Sequence, residues 1–126
     1  MNFGYTCSWD SSTTHEIKFG GLATEYNTEA AMSAIQFGYF TAISVSENCA
    51  KIASISGSLG KIFPTLNNGS NDLSKQPRFN STFYGCSALT SIPVNLFEGI
   101  HGSADGMFAV TFQGCTSLAT IPVDSN

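Results

Sequence analysis

The segments TFYGCSALTSIPV, from Thr82 to Val94, and TFQGCTSLATIPV, from Thr111 to Val123, agree at eight of thirteen positions, 29 residues apart (111 − 82 = 29). A repeat period in the range of about twenty to fifty residues marks structural units that stack, because one unit alone cannot bury its own apolar face. In a chain of 126 residues, this repeat limits the fold more than any other feature.

Within each copy the apolar residues follow the spacing LxxIxV: Leu89, Ile92 and Val94, then Leu118, Ile121 and Val123. The alternation at Ile92 and Val94 predicts a strand with one face buried, and Pro93 keeps it short because proline donates nothing to a ladder. Upstream, Pro77 to Gly85 reads as a short helix opened by proline and closed by a left-handed glycine. Ser103 to Gly114 reads the same way, with Ser103 as N-cap. Phe79 and Phe83, like Phe108 and Phe112, stand four residues apart and are expected to face inward together. Leu89 and Leu118 are expected to stack in neighbouring coils.

A weaker copy precedes these two. Cys49, Ile52, Ile55 and Leu59 align with Cys86, Leu89, Ile92 and Leu96 at an offset of 37 (86 − 49 = 37), with Ser56 in place of the proline. The polar stretch 66–76 then reads as a loop inserted on one face. Residues 1–47 do not follow the repeat. FGYTCSW, HEIKFGG and YFTAISVS read as strands, and TEAAMSAIQF fits a helix or a further rung. The chain is therefore divided into a β-rich N-terminal cap, 1–47, and about three coils, 48–78, 79–107 and 108–126. The last coil stops before a second return segment, as in a chain cut in mid-array.

The pattern FxGCxxLxxIPxxLF, carried by Phe83 to Phe97, resembles the leucine-rich repeats of BspA-like bacterial surface proteins. The likeness covers 79–123 well. Together with the period it gives the expected fold class: an α/β repeat, a leucine-rich-repeat-like solenoid of short parallel strands and short helices behind the cap. The resemblance implies a non-enzymatic protein-binding or adhesion module, secreted or held at a bacterial cell surface.

Composition narrows the alternatives. Hydrophobic residues make up 42% of the chain and charged residues only 11%, against a usual quarter or so charged. The five basic residues are scattered within a net charge of −4, so the clustered cationic footprint that nucleic acid needs is missing. No stretch approaches the length of a membrane span, and the start, MNFGYTCSWD, has neither the basic nor the apolar region of a signal peptide.

Cys7, Cys49, Cys86 and Cys115 allow three pairings if all are bridged, and their spacing is not that of a zinc site. Cys49, Cys86 and Cys115 share one repeat position. Side by side on strand rungs, their Cβ atoms would stand too far apart to bridge, so a reduced, buried, unreactive column is expected. Cys86 with His101 lacks the contact and third group that a nucleophile pair requires. The nine acidic residues show no close pair of the kind glycoside hydrolysis uses. No catalytic residue, cofactor or metal is expected.

The expected binding face is the row of outward strand positions Ser54, Ser56, Ser58, Ser91, Pro93, Asn95, Thr120, Pro122 and Asp124. It would engage a protein of a host or neighbouring cell. One alternative is a carbohydrate-binding module that uses the cap aromatics Tyr5, Trp9 and Tyr26; another is a structural stalk element. An uncovered last rung also predicts a homodimer through the C-terminal coil.

Overall fold

A computed structural model of the protein describes residues 13–26, 34–37, 40–41, 44–45, 49–67, 72–102 and 106–122. The expected α/β solenoid of short strands and helices does not form. The regular elements among the described residues are the two-residue strands β1 (Phe40–Thr41) and β2 (Ser44–Val45), an α-helix of four residues, α1 (Leu59–Ile62), and 3-10 turns at Cys49–Lys51 and Leu73–Lys75. β1 and β2 pair antiparallel, Phe40 with Val45 and Thr41 with Ser44. Of the segments expected as strands in the cap, HEIKFGG, 15–21, is exposed irregular chain, YFTAISVS holds β1 and β2, and FGYTCSW lies outside the described residues.

The two copies of the motif lie against each other as ribbons of consecutive turns. Thr82, Tyr84 and Cys86 donate their backbone N–H three residues back, to Phe79, Ser81 and Phe83, at 3.1–3.2 Å. The alternate residues Phe79, Ser81, Phe83 and Gly85 donate instead to the carbonyls of Met107, Ala109, Thr111 and Gln113, at 2.7–3.0 Å. An α-helix would send every N–H four residues back, and a strand would send none along its own chain. Here these seven N–H groups are divided between the turn and the neighbouring ribbon, and each is satisfied without either regular element.

The phenylalanine spacing fits this arrangement. Phe79 and Phe83 each open a four-residue turn, so a period of four is a turn period here and not a helical face. The third corner of each turn has a positive φ: Ser81 at 59° and Gly85 at 75°, then Val110 at 50° and Gly114 at 80°. This is the corner that such a turn assigns to a left-handed residue. Gly85 and Gly114 also meet back to back, and a Cβ on Gly114 would lie 3.2 Å from the Cα of Gly85.

The rings form columns. Phe37, Phe83 and Phe112 stack with centroids 5.2 and 5.5 Å apart and planes within 9° of parallel. Phe79 stacks on Phe108 at 5.6 Å, and Phe97 meets both edge-on at 4.9 Å. Residues 34–37 join the same stack, Ile35 donating to the Arg78 carbonyl and Phe37 to that of Thr82. The order is therefore 34–37, 78–86, 107–115.

On another side of the molecule the offset of 37 recurs. Ser54 and Ser91 form a parallel bridge, and the Leu59 N–H donates to the Leu96 carbonyl at 2.7 Å. Gly60 is required there, since a Cβ would sit 2.0 Å from the Glu98 carbonyl oxygen. Leu89 is fully buried, as its place in the repeat requires, whereas Leu118 is half-buried. Val94 and Ile121 are not core residues, being 58% and 57% exposed, and Phe108 is 44% exposed. The alternation that predicted them inward presupposes strands, and turns do not alternate faces in that way.

The cysteine column is not reduced throughout. Cys49 and Cys86 form a disulfide across 4.7 Å between Cα atoms, while Cys115 is a buried thiol. Neither bridged residue lies in a strand, so the argument from parallel strand Cβ atoms does not apply. The separation falls within the usual range for a disulfide.

Thr82 and Thr111 hold the ribbons together in equivalent ways. The Thr82 hydroxyl is 2.7 Å from both the Phe79 and the Ile35 carbonyls, and that of Thr111 is 2.6 Å from Phe108 and 2.9 Å from Phe79. Each reaches one carbonyl of its own turn and one of the preceding ribbon. Thr82→Val keeps the shape but removes the donor, and is expected to cost about 1–3 kcal/mol in urea unfolding. A cost near zero would show that the hydroxyl does not join the ribbons.

Candidate functional site

The return segment after the second motif carries the candidate site. Three turns build it: Leu96 N–H to the Pro93 carbonyl, Glu98 to Asn95, and Ile100 to Phe97, all at 3.1–3.2 Å. Leu96 is buried and anchors the segment, and Phe97 packs edge-on against Phe79 and Phe108. Val94 is left facing outward. Residues 92–98 form one wall of an open groove, and Phe112, Ile121 and Pro122 form the other. The exposed Glu98 carboxylate pairs with the Lys61 ammonium at 3.1 Å on the rim. So exposed a pair contributes little to stability.

The structure divides the residues expected to form a binding face. Pro93, Asn95 and Pro122 line the groove. Ser54 and Ser91 are exposed at the parallel bridge, and Ser56 and Thr120 are exposed outside the groove. Ser58 is half-buried, its Oγ 3.4 Å from the Leu96 carbonyl, so it belongs to the packing. Asp124 lies outside the described residues. Reading from the sequence missed Val94 and Ile121, the most exposed apolar members of the groove, by assigning them to the core.

The other candidates separate in the same way. Cys86 is in the disulfide, and His101 is joined through its backbone to Thr65: its N–H donates to Thr65 Oγ1 at 2.9 Å, and its carbonyl accepts from that hydroxyl at 2.8 Å. Among the described residues no group of three or more His, Cys, Asp or Glu gathers as a metal site would. Burial pushes the Cys115 thiol up from its ordinary pKa, against a smaller opposing effect of a hydrogen bond from the Cys86 backbone. Its Sγ lies 3.1 Å from the Phe83 carbonyl.

Of the aromatics considered for sugar stacking, Tyr5 and Trp9 lie outside the described residues. The Tyr26 hydroxyl donates to the Pro64 carbonyl, tying the N-terminal segment to the chain after α1. Burial raises its pKa from 10.0 to about 12. The neutral phenol therefore stabilises the fold fully below pH 10, and that contribution is lost as pH rises from 10 to 12. An ultraviolet difference titration of the parent chain against Tyr26→Phe should show the missing tyrosine to be one that ionises late, with the parent losing stability over the same interval. A difference signal near the ordinary tyrosine value would contradict the contact.

Among the described residues no helix is long and apolar enough to cross a membrane. No family model, curated protein or solved structure matches the chain.

Proposed function

We propose that the chain is a non-enzymatic binding module of a bacterial surface or secreted protein. Its groove between 92–98 and Phe112, Ile121 and Pro122 takes an apolar segment of a protein from a host or neighbouring cell. The observation that carries this reading is the exposure of Val94 and Ile121 in one groove. Apolar side chains gathered in a depression and edged by polar residues are what a partner's anchor residues fill. The two prolines add rigid apolar walls that lose little entropy on binding. The Cys49–Cys86 disulfide supports a location outside the reducing cytoplasm, in keeping with the BspA-like resemblance of the repeat.

Immobilised extracellular-matrix proteins and a glycan array would test this with the same labelled chain. Saturable binding to a matrix protein is expected, and it should fall at least tenfold in the double variant Val94→Lys/Ile121→Lys. Both side chains are exposed, so the variant should melt like the parent. Binding to glycans that survives this variant would favour a carbohydrate module instead. Silence on both surfaces would leave a structural stalk element.

A further inference from the structure

The stack of ribbons is polar. Residues 34–37 donate N–H groups to carbonyls of 78–82, and 79–85 donate in the same direction to carbonyls of 107–113. In the third ribbon, Ala109, Thr111, Gln113 and Cys115 donate within their own turns. The alternate set is Phe108, Val110, Phe112 and Gly114, which are the counterparts of Phe79, Ser81, Phe83 and Gly85. Among the described residues no acceptor meets any of these four N–H groups. Every carbonyl from 106 to 113 is already taken, by the second ribbon or by the turns. Among the described residues this face thus offers four backbone donors in a row and no acceptor.

The opposite end carries the complement. Ala34 and Gln36 stand one residue before Ile35 and Phe37, as Arg78 and Thr82 stand before Phe79 and Phe83. Arg78 and Thr82 accept from the ribbon before them, whereas no donor among the described residues reaches the carbonyls of Ala34 and Gln36. Both ends are also apolar. Phe108 and Val110 are 44% and 47% exposed at the donor end. At the acceptor end Phe19, 63% exposed, sits edge-on to Phe37 at 5.6 Å.

Val110 stands at the left-handed corner of its turn, the place that Ser81 takes in the second ribbon. It is a β-branched residue held at a φ of 50° while half exposed. That conformation is a true outlier for such a side chain, held by the turn that the Thr111 N–H closes on the Phe108 carbonyl, and it sets a strained apolar side chain on the donor face.

We propose that the donor face of 108–114 docks on the acceptor face of 34–37 in a second copy of this chain, head to tail. Phe108 and Phe112 N–H groups would meet the Ala34 and Gln36 carbonyls of that copy, continuing the pattern within each molecule. A two-fold dimer through the C-terminal ribbon is disfavoured by the same accounting, because it sets N–H against N–H. A head-to-tail contact pairs unlike faces, so it grows past two copies, as a ring of several or an open chain. The inference goes beyond the partner groove, which neither Val110 nor Phe19 lines.

The test mixes two variants. Val110→Lys charges the donor face and removes the β-branch from a left-handed position; Phe19→Lys charges the acceptor face at an exposed side chain. In sedimentation velocity the parent chain should grow past the dimer as concentration rises, and each variant alone should stay monomeric. Mixed in equal amounts, the two should form a heterodimer and stop there, since each keeps one working face. Amide exchange of the parent chain supplies a readout that needs no variant: the N–H groups of Phe108 and Phe112 should slow at least tenfold between dilute and concentrated samples. A parent chain that stops at a dimer, a Phe19→Lys chain that still dimerises, a mixture that stays monomeric, or amides indifferent to concentration would each overturn the proposal.

Discussion

Phe83→Ala will cost about 3–5 kcal/mol in urea unfolding, a large share of the roughly 5–15 kcal/mol by which domains are stable. The ring is 1% exposed and lies in the column between Phe37 and Phe112. Truncation removes two ring contacts and leaves a hole that the flanking turns cannot close, because the Phe83 backbone N–H and carbonyl are both engaged. Phe108→Ala, in the second column but 44% exposed, should cost clearly less. Equal costs would mean that the columns do not carry the stability.

Opening the Cys49–Cys86 bridge will cost a comparable amount. A closed loop with a sequence separation of 37 corresponds to about 3–4 kcal/mol of denatured-state entropy in the chain-entropy model. Cys49→Ser/Cys86→Ser should lower the unfolding midpoint accordingly. Thiol titration of a Cys7→Ser chain checks the assignment without a stability measurement. No thiol should react in the native state, where burial raises the Cys115 pKa and hides the group. One should react after denaturation, and three after denaturation with reduction. Three thiols without a reductant would return the column to the reduced state that the sequence alone suggests.

The repeat was legible because it is written in side chains: the positions that stack at 29 and 37 residues are the ones whose letters recur. What the letters do not carry is the division of the backbone hydrogen bonds. Phe79 and Phe83, four apart, fit a helical face and a run of turns equally well. The residues that decide between these are Ser81 and Val110, with φ values of 59° and 50°. Nothing in a serine or a valine announces a left-handed corner, and a valine argues against one. The glycines at 85 and 114 were readable as left-handed, though as corners of turns and not as helix ends. The same error moved the site. Assigned to strands, Val94 and Ile121 belonged in the core and the outward row was Ser, Thr and Pro with Asn95 and Asp124. With turns in place of strands, Pro93, Asn95 and Pro122 of that row line a groove whose exposed apolar residues are Val94 and Ile121.

Thr82 and Thr111 show a different limit. Both stand in the repeated segment, but a threonine beside a phenylalanine reads equally as a strand residue. Its use as a carbonyl-bridging hydroxyl depends on a neighbouring ribbon that the local sequence does not describe.

Amide hydrogen exchange on a dilute sample, resolved by residue, tests the division of hydrogen bonds most directly. Protection is expected at Phe79, Ser81, Phe83 and Gly85, which donate to the neighbouring ribbon. Their counterparts Phe108, Val110, Phe112 and Gly114 should exchange at least a hundredfold faster, although the two sets hold matching places in the repeat. Equal protection of the two sets would contradict the polar stack of turns.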